Sequence, residues 1–314
     1  MLFRVDKNEF AFNLNVARNN LVELLLNRFG SNRLLNVIVD LKPPVFNKLL
    51  RHPDLKDISL NADQQAALSK VASGMDYTIV SGMHGTGKSH TIAAIVEYLV
   101  KQKQKTVLVT ANTHGDVDDL VLRMGGRGFG VLRVGGWSTD PAVLAHMPAG
   151  AEIRTETDAH AVYMEPPVVA TTCLGITHWV FARRLRFDYC IIDEASRVSL
   201  PTALGPVCYA EKFILVGDDS DFCGIEIADC EDPASALNEN ISLMERLSVH
   251  EALATVRLDT QYRMCDDITE LANRVFYNGA LRCGSPEVAV RVLGISAENL
   301  SNETKWIKRV LANQ

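Results

Sequence analysis

With 314 residues, 47% of them hydrophobic and 22% charged, the chain has the composition of a globular protein with a substantial core, neither disordered nor fibrous. No apolar run approaches the roughly 20 residues of a membrane helix, and Asp6, Lys7 and Glu9 fall where a secretory signal would need its apolar centre. A net charge of −6, split as +3 over residues 1–58 and −9 over the rest, excludes a surface that attracts nucleic acid everywhere and leaves only a local basic track, or help from partner regions.

Taken in order, residues 3–12 alternate loosely and read as a strand. NVARNNLVELLLNRFG has helical spacing and stops at Gly30, and Pro43 and Pro44 end the segment that follows. This opening stretch, residues 1–58, is too short for its own core and reads as a lead-in. NADQQAALSKVASG is a helix with Asn61 as its cap and Gly74 as its stop. DYTIVSG is a buried strand that runs into a glycine-rich turn and then the helix SHTIAAIVEYLVKQ. TVLVTA reads as a strand, VDDLVLRMG as a helix and FGVLRVG as a further strand. VVATTCLG, DYCIIDEA and KFILVGDD are three more apolar strands with polar C-terminal ends. Polar residues gathered at strand ends after helical crossovers mark a parallel sheet with its ligand crevice along one edge. Residues 59–285 therefore read as one α/β domain, with 131–167 as a loop-rich surface excursion and 286–314 as a short remnant.

The strongest chemical signal is GMHGTGKS at residues 82–89, which fits GxxxxGK[ST] between a strand and a helix. Gly82, Gly85 and Gly87, with Thr86 between the last two, let backbone N–H groups curl around phosphates at a helix N-terminus. Lys88 can reach the terminal phosphates, and Ser89 offers a hydroxyl to Mg²⁺. At the end of DYCIIDEAS, Asp193 can hold Mg²⁺ through water and Glu194 can align the attacking water. Asp218 has two open readings, a supporting contact to this site or a solvated strand end. The seven acidic residues within 217–234 read as a solvated loop. In DTQYRM, Tyr262 can stack on a base and Arg263 can meet a phosphate, or the cluster can pack at a subdomain edge. Seven cysteines form no CxxC or CxxH, so neither a disulfide framework nor a zinc cage is expected, and the thiols read as intracellular. The histidines show no metal-ligand spacing.

Together and in this order, LNADQQAAL, GMHGTGKSHT, VTANTHGDVDDLVLR, VVATTCLGITH, FDYCIIDEASRVSLPTALGP, LVGDD and QYRMCDDITELANRVFYNGALRCGS resemble a superfamily-one helicase of the 5′-to-3′ subgroup. The similarity is greatest to the motor region of eukaryotic replication nuclease–helicases, and it covers about nine tenths of the chain. The resemblance implies a P-loop NTPase with a RecA-like parallel sheet flanked by helices, the first motor domain (1A) of an ATP- and Mg²⁺-dependent enzyme in the nucleus. It places Gln64 at the adenine, residues 82–89 at the phosphates, Asp193 and Glu194 as the metal and water pair, and Tyr262 and Arg263 as stacking ring and γ-phosphate sensor. Thr113, His114, Thr171, Thr172, Gly175 and His178 fall in segments that touch the backbone of single-stranded or flap DNA; RNA presents the same phosphates. Replication or repair proteins are the implied partners, and no membrane is.

Three departures stand out. Arg197 replaces a glutamine, Asp119 an asparagine, and Asp221 the glutamine that would sense the γ-phosphate; a carboxylate cannot donate to phosphate. The residues after Ser285 are too few for a second motor domain, so the expectation is an incomplete motor whose other half is supplied in cis or in trans. A catalytically degenerate nucleotide- and nucleic-acid-binding module is the alternative.

Overall fold

The computed structural model describes residues 9–26, 32–47, 59–136, 138–148, 153–184, 186–218, 241–250 and 252–291. The chain divides into two compact units, Met1–Asp259 and Thr260–Gln314. The first opens with α1 (Glu9–Leu26) and α2 (Arg33–Ile38), followed by α3 (Ala62–Ser73), β1 (Tyr77–Gly82) and α4 (Lys88–Glu97). Next come β2 (Val107–Ala111), α5 (His114–Met124), β3 (Val131–Arg133), α6 (Pro141–Leu144), α7 (Glu156–Met164) and β4 (Val168–Thr172). It continues with α8 (Trp179–Arg183), β5 (Phe187–Ile192), α9 (Leu200–Cys208), β6 (Ala210–Gly217), α10 (Leu243–His250) and β7 (Thr255–Leu258).

The seven strands form one parallel sheet in the order β3-β4-β2-β5-β6-β1-β7. Parallel strands need helical crossovers, and these cover both faces. The strands are buried on both sides, so their residues alternate between two cores. Tyr77, Ile79, Leu108, Cys190, Ile192, Phe213 and Leu215 meet α1, α2, α9 and α10 on one face. Val80, Val107, Val109, Tyr189, Ile191, Ile214 and Val216 meet α3, α4 and α5 on the other.

The six strands read within residues 59–285 are all present, and α3 keeps the expected cap and stop, Asn61 and Gly74. Residues 9–12 are helical, not part of a strand, because α1 begins at Glu9; residues 3–8 of that expected strand lie outside the described residues. Helix α1 buries Val16 and Leu24, and the Asn20 amide donates to the Pro201 carbonyl at 3.0 Å. The excursion 131–167 contains α6 and α7, the latter capped by a reciprocal Thr155–Asp158 box. Strand β7 was not foreseen: four residues with Arg257 among them carry too little pattern. No described helix is long and apolar enough to cross a membrane.

The second unit holds the parallel pair β8 (Thr260–Gln261) and β9 (Arg282–Cys283), with α11 (Asp266–Ala272) and α12 (Pro286–Ala289).

Candidate functional site

The phosphate loop follows β1 at the C-terminal edge of the sheet. Gly85 and Gly87 have φ of +81° and +84°, which glycine adopts without steric cost. A Cβ on Gly82 would lie 2.9 Å from both Lys88 Cγ and Thr86 Oγ1, so side chains of the loop close over its first residue. The fully buried Thr86 hydroxyl donates to the Met83 carbonyl at 2.7 Å and pins the turn. Lys88 Nζ donates to the Gly82 carbonyl at 3.1 Å and lies 3.5 Å from Glu194 Oε1. Ser89, the second residue of α4, is half-buried.

Gln64 sits beneath this loop. Its Nε2 donates to the Thr86 carbonyl at 3.2 Å, and its Oε1 accepts from the Asn61 N–H at 3.2 Å. The residue expected at the adenine is thus 4% exposed and ties the start of α3 to the loop backbone.

Strand β5 delivers Asp193 and Glu194, with only β6 between it and β1. Asp193 is 4% exposed, and its carboxyl is pushed up to about 7 by burial and by the adjacent Glu194 charge, against the opposing pull of Lys88. Glu194 adopts the left-handed conformation, φ +50°, which is uncommon without a glycine. That turn brings the Glu194 N–H to Asp193 Oδ1 at 3.0 Å. Arg197, one of the departures, holds Nε 3.9 Å from the other Glu194 oxygen. Ser89 and Asp193 offer hard oxygen donors, and a cation beside Asp193 would relieve the cost of its buried charge, so this donor set fits Mg²⁺.

Asp218 is fully buried rather than a solvated strand end. Its Oδ2 lies 2.9 Å from Nδ1 of His84, a variable position of the phosphate loop, and its N–H donates to Ser196 Oγ at 3.4 Å. It joins the ends of β1, β5 and β6, a role for His84 that no spacing in the sequence signals. Asp221 and most of the acidic run lie outside the described residues; Asp119 is exposed on α5.

The six candidates for strand contact gather at and beyond the C-terminal ends of β2 and β4. Thr113 caps α5 by accepting from the Asp116 N–H at 3.2 Å, and His114 begins that helix. Thr172 caps the turn 173–177 by accepting from the Gly175 N–H at 3.0 Å. The Thr171 hydroxyl is buried without a hydrogen-bond partner, and a Cβ on Gly175 would lie 2.2 Å from it. His178 caps α8, and burial lowers its imidazole below the ordinary range. A separate cavity of about 700 Å³, lined by Trp179, Arg183 and Phe187 among others, lies by the N-terminal ends of β2 and β5, across the sheet from the phosphate loop.

Tyr262 and Arg263 belong to the second unit. There Gln261, fully buried, receives the Arg263 and Met264 N–H groups at 2.7 Å each and donates to the Met264 carbonyl, leaving Arg263 exposed.

The AAA domain family matches residues 59–161 and 145–220, and a second AAA domain family matches residues 239–311. The human DNA replication ATP-dependent helicase/nuclease DNA2 is 36% identical over 309 residues, covering 94% of this chain and 28% of that protein. The Saccharomyces cerevisiae DNA2 is 32% identical over 346 residues, covering 98% of this chain and 22% of that protein. This chain therefore spans about a quarter of the length of these relatives. A solved arterivirus nonstructural protein 10 (helicase) with DNA aligns at 16% identity with a TM-score of 0.41, covering 69% of this chain and 43% of that one. The phosphate loop, the acidic pair one strand away and the parallel sheet that carries them accord with the family matches: the chain belongs to the AAA domain family of P-loop NTPases, as a helicase-type motor region related to that of the DNA2 helicase/nucleases.

Proposed function

We propose that residues 59–285 form the first motor domain of an ATP-driven helicase that acts on single-stranded or flap DNA in the nucleus, with residues 1–58 as its lead-in. The observation that carries the reading is the 3.5 Å approach of Lys88 to Glu194, which joins the phosphate loop to the acidic end of β5. Lys88 would leave the Gly82 carbonyl for the terminal phosphates of ATP, gaining a charge-assisted contact. Ser89 and Asp193 would hold Mg²⁺, which when bound neutralises phosphate charge. Glu194, at 25% side-chain exposure, would orient the attacking water and take its proton. By resemblance Tyr262 and Arg263 are candidates for a stacking ring and a γ-phosphate sensor, and Gln64 would support the phosphate loop from below. Thr113, His114, Gly175 and His178 would face the strand backbone, where polar groups position without reading sequence, with the buried Thr171 and Thr172 shaping the turn beneath them.

Arg197 favours a second reading. Its guanidinium competes for the carboxylate assigned to water, which suits a nucleotide-binding module with little turnover. Titration calorimetry and phosphate release separate the readings. Lys88→Ala should weaken Mg·ATP binding by about tenfold or more, while Glu194→Gln should preserve binding and abolish release. Equal ATP affinity in parent and Lys88→Ala would sink the assignment of the loop, and a parent that binds without turnover would establish the module.

A further inference from the structure

Arg133, the last residue of β3, is 1% exposed, the most deeply buried cation described and one that the nucleotide chemistry does not use. Four of its five N–H donors are engaged. Nε donates to Asp118 Oδ1 at 2.8 Å, Nη1 to the carbonyls of Val134 and Gly135 at 2.6 and 2.7 Å, and Nη2 faces His114 Nδ1 at 3.0 Å. His114 and Asp118 are four residues apart on α5, so one guanidinium reaches both from one side of the helix. A guanidinium has no acceptor and keeps its protons. Nδ1 of His114 must therefore accept, and the ring carries its proton on Nε2. Gly136 closes the same pocket: at φ +67°, a Cβ there would lie 2.5 Å from Nδ1 and 2.6 Å from Cε1 of His114. One flank of the ring is thus held by Arg133 and Gly136, while the residue as a whole is exposed.

We propose that Arg133 is a positioning residue for strand binding: with Gly136 it fixes the tautomer and orientation of His114, so that the Nε2–H donates to a backbone phosphate oxygen of a bound single strand. This rests on the nucleic-acid reading above and adds what prepares the contact. A ring free to rotate would present an acceptor nitrogen to phosphate half the time, and an acceptor repels it. Locking the donor outward removes that loss before the strand arrives, which is preorganisation.

The test uses the 314-residue chain and a fluorescein-labelled oligothymidine read by anisotropy, with Mg·ATP affinity as the control for folding. Arg133→Lys keeps the charge but loses the fork. Gly136→Ala leaves Arg133 intact and displaces the ring. Each should weaken oligothymidine binding by about tenfold with ATP affinity unchanged, and each should have no further effect in a His114→Ala background. Long-range proton–nitrogen NMR of the imidazoles should show the His114 proton on Nε2 in the parent and a tautomer mixture in Arg133→Lys. A parent that binds oligothymidine while both variants match it would overturn the role of Arg133 alone, as would undiminished losses in the His114→Ala background. A parent that binds ATP but no oligothymidine would overturn the nucleic-acid reading and this role with it.

Discussion

In its proposed role as a cation ligand, Asp193 stands under two conflicting demands. Reaching a cation at the phosphate loop requires a carboxylate at the end of a central strand, and that position is nearly dry. Burial and Glu194 raise its carboxyl from an ordinary 3.8 to about 7. Between those values the folded chain holds a proton that the unfolded chain has released. The stability from this site is therefore full below about pH 4 and lost as pH rises through 7. Replacing Asp193 by Asn removes the dependence, so in EDTA the variant should gain on the parent from pH 5 to pH 8 by ~2–4 kcal/mol in urea melts. A difference between variant and parent that is the same at both pH values would show that Asp193 titrates normally. With excess Mg²⁺ and ATP the order should reverse, because only the parent keeps the ligand that binding would stabilise.

The helices around the site can be read locally at their ends and not along their sides. Asn61 announces the α3 cap, and the structure adds Gln64 as its reciprocal partner, with the two bonds at 2.8 and 3.2 Å. Asn61→Ala should cost ~1 kcal/mol in chemical unfolding. It should also loosen the phosphate loop, because losing the Asn61 side-chain acceptor frays the first turn of α3, and that turn holds Gln64, whose amide donates to the Thr86 carbonyl. A variant with lowered ATP affinity but an unchanged unfolding midpoint would show that the cap serves the loop alone. Turn 173–177 carries a comparable constraint: Gly175→Ala would drive a Cβ to 2.2 Å from the enclosed Thr171 hydroxyl. A loss of ~1–3 kcal/mol is expected from the forced rearrangement, measured by thermal unfolding, and a neutral outcome would mean that β4 and the turn separate freely.

Across the first unit, the parallel sheet makes the lead-in part of the body. Leu24 is 6% exposed and joins the core with Val37, Ile38, Leu204 and Val207, whereas its neighbour Leu25 is 70% exposed. Leu24→Ala should therefore cost ~2–3 kcal/mol, against ~0.5 kcal/mol or less for Leu25→Ala. Equal effects of the two substitutions in urea titrations would detach α1 from the motor core.

Strand order of appearance, the phosphate loop and the acidic pair were legible because each is a short contiguous run whose chemistry depends on spacing: GxxxxGKS after an apolar strand, DE after another. The caps of α3 were legible for the same reason. The contacts that join those runs were not. His84 with Asp218, Lys88 with Glu194, and Arg133 with His114 and Asp118 pair residues 134, 106, 19 and 15 positions apart. Nothing in a local pattern selects those pairings, since an isolated histidine or arginine reads equally well as a solvated surface group. They arise because a parallel sheet with right-handed crossovers gathers the C-terminal ends of all its strands along one edge. Once gathered there, the loops exclude water, and burial decides which charges must find partners.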